Sequence, residues 1–336
     1  MRVLMVHPGP WFSVGDVYRG WVRGLREAGC QVLNFNLNDR LEFYDDIHVE
    51  RGGEYVKPLG TEEALRLACE GINNACYKFW PDVIVVVSGF YVPPEFFDVW
   101  RDRGHRTVMI HTESPYEETR QLTLAERVDL NILNDPTNIG RYPDGTLYIP
   151  HAYDPAIHHP PTAPITRPVD FAFVGTGYPS RQQFFESVDW SGIAPVFAGN
   201  WQDVGEGSPL RPFLMHDTTD CLANEQTADL YRRARVSANL YRAEAQDGCD
   251  ASGWAMGPRE VELAACGTFY LTEERGENRE VLPMVPTFDG PEDFGDKVRW
   301  WLARPEARAQ VAREAMAAVA DRTFANHAAL LLQHLT

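Results

Sequence analysis

Short apolar runs alternate with amphipathic segments along most of the chain. Residues 82–89 form a continuous apolar run, which is typical of a central strand buried on both faces, and further strands are predicted at 2–6 and 31–37. In 15–28 the apolar residues share one helical face, and 61–79 is predicted to form a second helix. Because strands that alternate with helices usually form parallel sheets, the first half is predicted to be an α/β domain.

The same alternation restarts in the second half of the chain. Residues 169–177 are predicted to form a strand that enters a glycine turn. Two such sheets predict two Rossmann-like domains facing each other across a cleft, with ligands bound at the carboxyl ends of the strands. The other predicted strands are 107–111, 130–134, 146–150, 194–200, 236–242, 268–274 and 284–290, and the other predicted helices are 225–235, 258–265, 291–303, 305–320 and 323–335.

A proline-rich segment separates the two halves. Residues 154–168 contain five prolines in fifteen positions, which is too stiff and too poor in backbone donors for a helix or a central strand. We therefore expect a connection between domains, with 1–153 before it and 169–320 after it. His158 and His159 within this segment have no nearby cluster of metal-ligating residues, so both are expected to be exposed.

Composition and charge narrow the class of protein. With 336 residues and 44% hydrophobic content, the chain suits two folded domains of about 150 residues each. A net charge of −17 argues against a broad nucleic-acid or anionic-membrane face, although a local basic groove stays open. The first apolar run is too short for a signal peptide, and no stretch approaches the ~20 apolar residues of a membrane span. We expect a cytoplasmic protein without a membrane span.

The sequence offers no metal-binding pattern. Its six cysteines form no CxxC pair and no cluster with histidines, which argues against a structural zinc site and against a disulfide framework. Reduced, buried thiols are the expected state. No Asp-x-Asp motif follows a suitable predicted strand, so we expect a metal-independent reaction and no bound cofactor.

The stretch GPREVELAACGTFYLTEE, residues 257–274, joins an apolar helix to an apolar strand but begins with charged residues. Pro258 suits the first turn of a helix, and Gly267 suits the position just after its end. Gly257 lets the backbone approach a ligand closely. The N-terminus of a helix carries unpaired N–H groups and a positive dipole end, which together stabilise a phosphate.

Two side chains of this helix fit a nucleotide. Arg259 can clamp a phosphate with two parallel hydrogen bonds, and Glu262 can accept hydrogen bonds from the two hydroxyls of a ribose. The alternative is a surface ion pair between Arg259 and Glu262, worth only ~0.3–0.5 kcal/mol. After the following strand, Glu274 and the turn near Gly276 and Asn278 are candidates to hold the phosphates or sugar hydroxyls of the same ligand.

Over about residues 145–325 the chain resembles the group-one glycosyltransferases of GT-B fold, and most of all their branch related to spore-maturation glycosyltransferases. The resemblance rests on GPREVELAACGTFYLTEERGENREVLP, FDGPEDFGDKVRWWLARPEARAQVAREA, FVGTGYPSRQQF, LYRRARVSANLYR and YIPHAYDP. It implies two Rossmann-like domains, a nucleotide-diphosphate sugar as donor (a UDP-sugar above all) and retention of anomeric configuration. It also implies that a C-terminal helix, 321–336, crosses back to the N-terminal domain.

The resemblance assigns roles residue by residue. Glu262 matches the glutamate that holds the ribose of the donor, and Arg259 matches the arginine before it. One position departs from many group-one enzymes, because Trp254 stands where they carry a glutamate that contacts the donor sugar. The glycine turn and phosphate contact of the donor domain match Gly175, Thr176, Gly177 and Arg181.

In the N-terminal half the resemblance is one of general layout. His111 and Glu113 follow a predicted strand, where related enzymes carry a base for the acceptor hydroxyl or a partner for the transferred sugar. The alternative for His111 is a histidine that satisfies loop backbone, and the alternative for Asp16 is a favourable charge at a helix N-terminus. The residues expected on the acceptor side are His7, Trp11, Asp16, Phe90 and Tyr91.

The acceptor itself is not readable from the sequence. A glycan, a natural product or a protein hydroxyl each fits a glycosyltransferase, and so does a hydroxymethylated base in modified viral DNA, the one way in which nucleic acid would be a partner. A non-catalytic nucleotide-sugar sensor is a second class of function, which Trp254 favours. A GT-B epimerase is a third and weaker alternative.

Overall fold

The computed structural model describes residues 1–9, 14–51, 53–163, 165–215, 221–245 and 248–335. The chain divides into two compact units. The first comprises Met1–Ile149, Gln246–Cys249 and Phe324–Thr336, and the second comprises Pro150–Ala245 and Asp250–Thr323.

The first unit is built on a six-stranded parallel sheet with the strand order β2-β1-β5-β6-β7-β8. Its strands are β1 (Arg2–Val6), β2 (Gln31–Phe35), β5 (Val83–Val87), β6 (Arg106–His111), β7 (Leu130–Leu133) and β8 (Leu147–Tyr148), and β3 (Val49–Arg51) and β4 (Glu54–Val56) form a separate antiparallel hairpin. Its helices up to this point are α1 (Val14–Glu27), α2 (Leu37–Asp45), α3 (Thr61–Phe79), α4 (Pro94–Asp102) and α5 (Glu118–Ala125). All five residues of β5 are buried, as the continuous apolar run predicted.

The second unit carries a four-stranded parallel sheet with the order β10-β9-β11-β12. Its strands are β9 (Val169–Val174), β10 (Pro195–Ala198), β11 (Ala234–Asn239) and β12 (Tyr270–Thr272). Its helices are α6 (Pro179–Glu186), α7 (Asn224–Arg233), α8 (Pro258–Ala265), α9 (Gly276–Val281), α10 (Gly290–Leu302) and α11 (Pro305–Ala318). An aromatic cluster that includes Phe171, Phe173, Phe185 and Phe197 fills one side of this sheet.

The last helix, α12 (Phe324–Leu335), belongs to the first unit. It packs directly against α1, where Gly20 and Gly24 leave room for Phe324. At its other end, Arg106 at the start of β6 donates hydrogen bonds to the carbonyls of Leu335 (2.8 Å) and His334 (3.1 Å). The helix is therefore held at both ends by elements of the first unit.

Each sheet has a topological switch point, where the strand order reverses and successive strands are added towards opposite edges of the sheet. In the first unit β1 lies between β2 and β5, and in the second unit β9 lies between β10 and β11. Open parallel sheets bind ligands in the crevice at the carboxyl ends of such strands. A binding site is therefore expected at the loops after β1 and β5 in the first unit and at the loops after β9 and β11 in the second.

The predicted α/β class with two Rossmann-like parallel-sheet domains is confirmed, and two predicted strands are corrected. The strand predicted at 31–37 ends at Phe35, because the Asn36 side chain accepts hydrogen bonds from the backbone of Asn38 (3.1 Å) and Asp39 (3.4 Å) and so caps α2. Residues 284–290 form no strand; Thr287 makes only an isolated bridge to Thr272.

Candidate functional site

Arg259 lies across the carboxyl ends of two neighbouring strands of the second unit. It follows Pro258, the first residue of α8. Its Nε donates to the carbonyl of Val174 at the end of β9 (2.7 Å), and its Nη1 donates to Oδ1 of Asn239 at the end of β11 (3.0 Å). The guanidinium carbon lies 4.8 Å from the centre of the Phe173 ring. A cation is thereby fixed where β9 and β11 lead to opposite edges of the sheet.

The glycine turn after β9 approaches this guanidinium closely. A Cβ atom on Gly175 would overlap Nη2 of Arg259, and a Cβ atom on Gly177 would overlap the indole of Trp201. Gly199, with φ +107°, packs against the backbone of Gly175, to which an added Cβ would come within 2.5 Å. Because Gly175 has no side chain, the backbone of the turn lies directly beside the arginine. The structure thus brings together the glycines and the arginine that the sequence assigned to one donor site.

Arg181 on α6 is 7% exposed and directs its guanidinium inward. Its Nη1 donates to the carbonyl of Thr176 (3.0 Å) and its Nη2 to the carbonyl of Leu240 (2.6 Å). The group also lies against the rings of Phe173 and Tyr178. Arg181 therefore ties the glycine turn to the loop after β11. Its predicted role as a phosphate contact stays a prediction.

Glu262 lies one turn further along α8, and its side chain is 18% exposed. Its carboxylate lies near His158, whose Nε2 is 3.8 Å from Glu262 Oε1 and 3.1 Å from Oδ1 of Asn224 on α7. The alternative of a surface pair between Arg259 and Glu262 does not describe this arrangement, because Arg259 reaches the strands instead. The expectation that His158 is exposed is wrong: only 2% of its surface is accessible, since the segment before β9 packs onto α7 and α8.

Glu260, for which the sequence supplied no role, is the most buried carboxylate of the site. Its Oε2 accepts hydrogen bonds from the backbone N–H of Gly257 (2.9 Å) and from the Tyr241 hydroxyl. Its Oε1 accepts from the Thr272 hydroxyl (2.9 Å) and the Asn278 amide (3.2 Å). Burial raises the pKa of Glu260, and these hydrogen bonds oppose that shift. The signal in the sequence was a glutamate at the third helical position, where a capping box places one.

The loop after β12 completes this region. The Asn278 side chain is buried and donates to the carbonyl of Glu273 (2.8 Å), so it holds the loop together. Glu274 is half-exposed. A Cβ atom on Gly276 would overlap the indole of Trp254, which therefore packs directly against the turn. The indole thus occupies the surroundings in which the family resemblance expects a carboxylate.

In the first unit, the sequence-predicted acceptor residues follow three strands that are adjacent in the sheet. His7 follows β1, Phe90 and Tyr91 follow β5, and His111 is the last residue of β6. The parallel arrangement therefore brings them to one edge of the sheet, although they are far apart in sequence. Trp11 lies outside the described residues.

His7 is anchored within its loop. Its Nδ1 accepts a hydrogen bond from the backbone of Gly9 (3.1 Å), and its ring packs edge-on against Tyr18, with 4.9 Å between ring centres. Burial and then the nearby charge of Arg19 lower the pKa of His7 to about 4. Asp16 pairs with Arg19 within the first turn of α1, which agrees with the alternative of a helix-terminal charge.

His111 is fully buried. Its Nε2 lies 2.8 Å from Oδ1 of Asn131, whose amide nitrogen donates to the carbonyl of Ala125 (3.0 Å). Nε2 is therefore the donor, and Nδ1, an acceptor in the neutral ring, has no hydrogen-bond partner among the residues described. Burial lowers the pKa of His111 to about 4, so the ring is neutral at pH 7. Glu113 is partly buried, and its backbone N–H donates to Gln121 (3.0 Å). The catalytic roles of His111 and Glu113 stay predictions.

A cavity of about 190 Å³ lies beside the loop after β5. Phe90, Tyr91 and Leu124 contribute apolar surface to it. Arg120 borders the same cavity, with its guanidinium 3.9 Å from the centre of the Phe90 ring and its Nη2 donating to the Phe90 carbonyl (3.2 Å). The cavity therefore combines an aromatic wall with a cation, both at the edge of the sheet where His7 lies.

Comparison with known proteins identifies the second half of the chain. Residues 169–333 match the family model described as glycosyl transferase-like. This half is glycosyltransferase-like. The match covers the glycine turn, Arg259 and Glu262, so the residues that converge at β9 and β11 lie within the matched segment. A search of the curated proteins finds no sequence that matches the chain.

Solved structures with the GT-B fold resemble the whole chain. Sucrose-phosphate synthase from Thermosynechococcus elongatus has a TM-score of 0.67 at 14% identity, covering 99% of this chain and 98% of that one. AviGT4, a glycosyltransferase involved in avilamycin A biosynthesis, has a TM-score of 0.63 at 17% identity, covering 99% and 96%. UDP-GlcNAc 2-epimerase from Neisseria meningitidis bound to UDP-GlcNAc has a TM-score of 0.56 at 10% identity, covering 100% and 99%. At these identities the likeness shows the fold.

The family match confirms the prediction of a glycosyltransferase at the level of the enzyme class, and the structural matches confirm the GT-B fold. Within the described ranges, no helix is both long and apolar enough to cross a membrane. In the same ranges, histidine, cysteine and carboxylate side chains form no group of three that could hold a metal ion.

Proposed function

We propose that the protein transfers a sugar from a nucleotide-diphosphate sugar, a UDP-sugar above all, to a hydroxyl acceptor held by the first unit. The observation that carries the proposal is the position of Arg259. Its guanidinium is fixed between the ends of β9 and β11, beside a turn in which an added Cβ at Gly175 or Gly177 would overlap a neighbouring side chain. This is the crevice in which an open parallel sheet binds a nucleotide.

In this proposal the second unit holds the donor. The N-terminus of α8 and the Arg259 guanidinium face the diphosphate and stabilise the negative charge that develops as it departs. Glu262, one turn further along α8, accepts hydrogen bonds from the ribose hydroxyls. The loop at Glu274 and Gly276 borders the donor sugar. A reaction of this kind needs no metal ion for the leaving group, and retention of configuration is proposed on the motif resemblance, as is membership of the spore-maturation branch.

The first unit is proposed to present the acceptor. The loops after β1, β5 and β6 meet at one edge of its sheet, and the cavity beside Phe90 and Tyr91 offers an aromatic wall for an acceptor. Glu113, which is only partly buried, is better placed than the fully buried His111 to exchange a proton with an acceptor hydroxyl. His111 then serves as a neutral hydrogen-bonding group beneath the same edge.

The contact between Trp254 and Gly276 favours a second candidate, a nucleotide-sugar sensor without turnover. The indole packs against the loop where a carboxylate for the donor sugar is expected. A sensor would keep the nucleotide contacts of Arg259 and Glu262 and lose the contacts that activate the sugar. The two candidates agree on nucleotide binding and differ in turnover.

The first experiment is a thermal-shift screen with UDP, GDP, TDP, ADP and CMP and their common sugars. We expect one nucleotide family to raise the melting temperature of the native protein. Arg259→Ala and Glu262→Ala should abolish that shift, whereas Arg235→Ala should keep it, because Arg235 pairs with Asp170 near the other ends of β11 and β9. An assay for hydrolysis or transfer of the donor sugar then distinguishes the two candidates, because only the enzyme should show turnover. Absence of any shift in the native protein, or an equal shift in all variants, would contradict the proposed site.

A further inference from the structure

A histidine from the segment before the second sheet reaches the glutamate that the proposed function assigns to the ribose. His158 is 2% exposed, and its Nε2 lies 3.8 Å from Glu262 Oε1 and 3.1 Å from Asn224 Oδ1. Nε2 is within hydrogen-bond distance of Asn224 on α7 and within electrostatic contact distance of Glu262 on α8, so the imidazole lies between the two side chains. Neither the glycine turn nor the arginine of the site makes such a contact with Glu262.

The backbone around His158 is fixed as well. The His158 N–H donates to the carbonyl of Asp154 (2.7 Å), which forms a turn, and Asp154 Oδ1 accepts from the N–H of Ala156 (3.0 Å). On the other side, Nη1 of Arg232 on α7 donates to the carbonyl of Ile157 (3.0 Å). Because the turn is held at both ends, the imidazole has little freedom to leave Glu262.

We propose that His158 is a positioning residue for nucleotide recognition: through Nε2 it orients the Glu262 carboxylate for the ribose hydroxyls. The proposal rests on the proposed function, since it gives Glu262 the ribose. A free glutamate loses side-chain freedom when it binds, and holding it in place beforehand removes part of that loss. His158 thus acts on the ribose through Glu262, with no contact of its own to the ligand.

The test compares two probes on the full chain: the best-binding diphosphate among UDP, GDP and ADP, and its 2′,3′-dideoxy analogue. Calorimetry should show that the native protein prefers the ribonucleotide. His158→Ala should weaken ribonucleotide binding roughly three- to tenfold, the range expected for one newly immobilised side chain, and leave the dideoxy analogue unchanged. His158→Gln should restore most of the preference, because its amide nitrogen can replace Nε2. The double variant His158→Ala with Glu262→Gln should be no worse than Glu262→Gln alone.

The neighbouring histidine supplies the matched control. His159 turns its Nδ1 towards the carbonyl of Pro160 (2.8 Å), so His159→Ala should leave both affinities unchanged. A variant that had lost its fold would lose both probes, whereas the proposed role affects one. An unchanged ribose preference in His158→Ala would overturn the proposal while leaving the donor site intact. Equal affinity of the native protein for both probes would overturn the ribose role of Glu262 as well, and absence of binding by all three diphosphates would overturn the proposed function itself.

Discussion

At the scale of single residues, buried polar groups decide the shape of the site. Glu260 accepts four hydrogen bonds and joins the start of α8 to the ends of β11 and β12. Since a buried carboxylate without partners costs several kcal/mol, these four donors are needed to keep it inside. The charged residues of this short helix therefore differ in role. Glu260 holds the helix to the strands, Arg259 places a cation at the ends of β9 and β11, and Glu262 is proposed to contact the ribose.

His111 gives a prediction at the same scale. Burial lowers its pKa from 6.5 to about 4 in the folded protein, so below pH 6.5 the unfolded chain binds a proton that the folded chain does not. The stability contributed by this difference is complete above pH 6.5 and is lost as the pH falls towards 4. His111→Gln keeps a donor towards Asn131 and removes the titration. Between pH 7.5 and 4.5 we expect the free energy of unfolding to fall by about 2–3 kcal/mol more in the native protein than in the variant.

Urea unfolding at a series of pH values measures this difference. His48→Gln is the control, because His48 is exposed, and it should follow the pH dependence of the native protein. His7 titrates in the same range but is present in every protein compared. Parallel pH profiles for the native protein and His111→Gln would show that His111 is not held neutral.

At the scale of secondary-structure elements, close packing between helices constrains the sequence where no chemistry does. Helix α1 carries Gly20 and Gly24 one turn apart, and both face Phe324 at the start of α12. A Cβ atom on Gly20 would overlap the Phe324 ring, and one on Gly24 would overlap the Phe324 backbone. A side chain can rotate away from such a clash, but a backbone cannot move without shifting the helix.

Gly24→Ala is therefore expected to destabilise the protein, although alanine has the higher helix propensity. Alanine favours a helix over glycine by about 1 kcal/mol, but the overlap with backbone is expected to cost more, for a net loss of about 1–3 kcal/mol. Gly15→Ala in the same helix is the control, since its nearest neighbours lie at 3.7 Å or beyond and the substitution should be neutral or stabilising. Urea unfolding of the two variants tests this prediction, and equal urea midpoints for both would contradict close packing at Gly24.

At the scale of the whole molecule, the two units do not simply follow one another along the chain. The first unit takes its last helix from residues that follow the complete second unit. Each unit has its own parallel sheet with its own switch point, so the residues proposed for the donor and those proposed for the acceptor are organised separately. Folding of the first unit therefore requires contacts between residues that are far apart in the chain, such as Arg106 and Leu335, which are 229 positions apart.

This arrangement predicts that damage to α12 weakens the first unit selectively. Leu331 is fully buried, whereas the adjacent Leu330 is 38% exposed. Leu331→Ala should destabilise the first unit by about 2–5 kcal/mol, and Leu330→Ala should change little. Hydrogen exchange resolved by peptide should show faster exchange in β1 and α1 and unchanged exchange in β9 and β11. Faster exchange in the second unit alone would contradict the assignment of α12 to the first unit.

Local patterns predicted much of the fold, and the misses share a cause. Helix 61–79 was predicted to the residue, and the eight-residue helix at Pro258 was anticipated from its proline and following glycine. Helices α2, α4, α5, α6 and α9 were not predicted, because each is only six to nine residues long and a helix this short offers little periodicity to recognise; only Asn36 separates α2 from the strand before it. An apolar run that crosses from strand to helix gives no periodicity with which to divide it.

The sequence by itself determined the α/β alternation, the two sheets and the glycine, arginine and glutamate of the proposed donor site. The alternation and the sheets follow from the spacing of neighbouring residues, and the residues of the proposed donor site follow from the motif resemblance; both are local features of the sequence. Only the tertiary structure decided that Arg259 reaches a carbonyl 85 positions away, that Glu260 is a buried cap, and that His158 is buried against Glu262. The physical reason is that a side chain's burial and partners depend on which distant segments pack around it, and a local pattern carries no record of them.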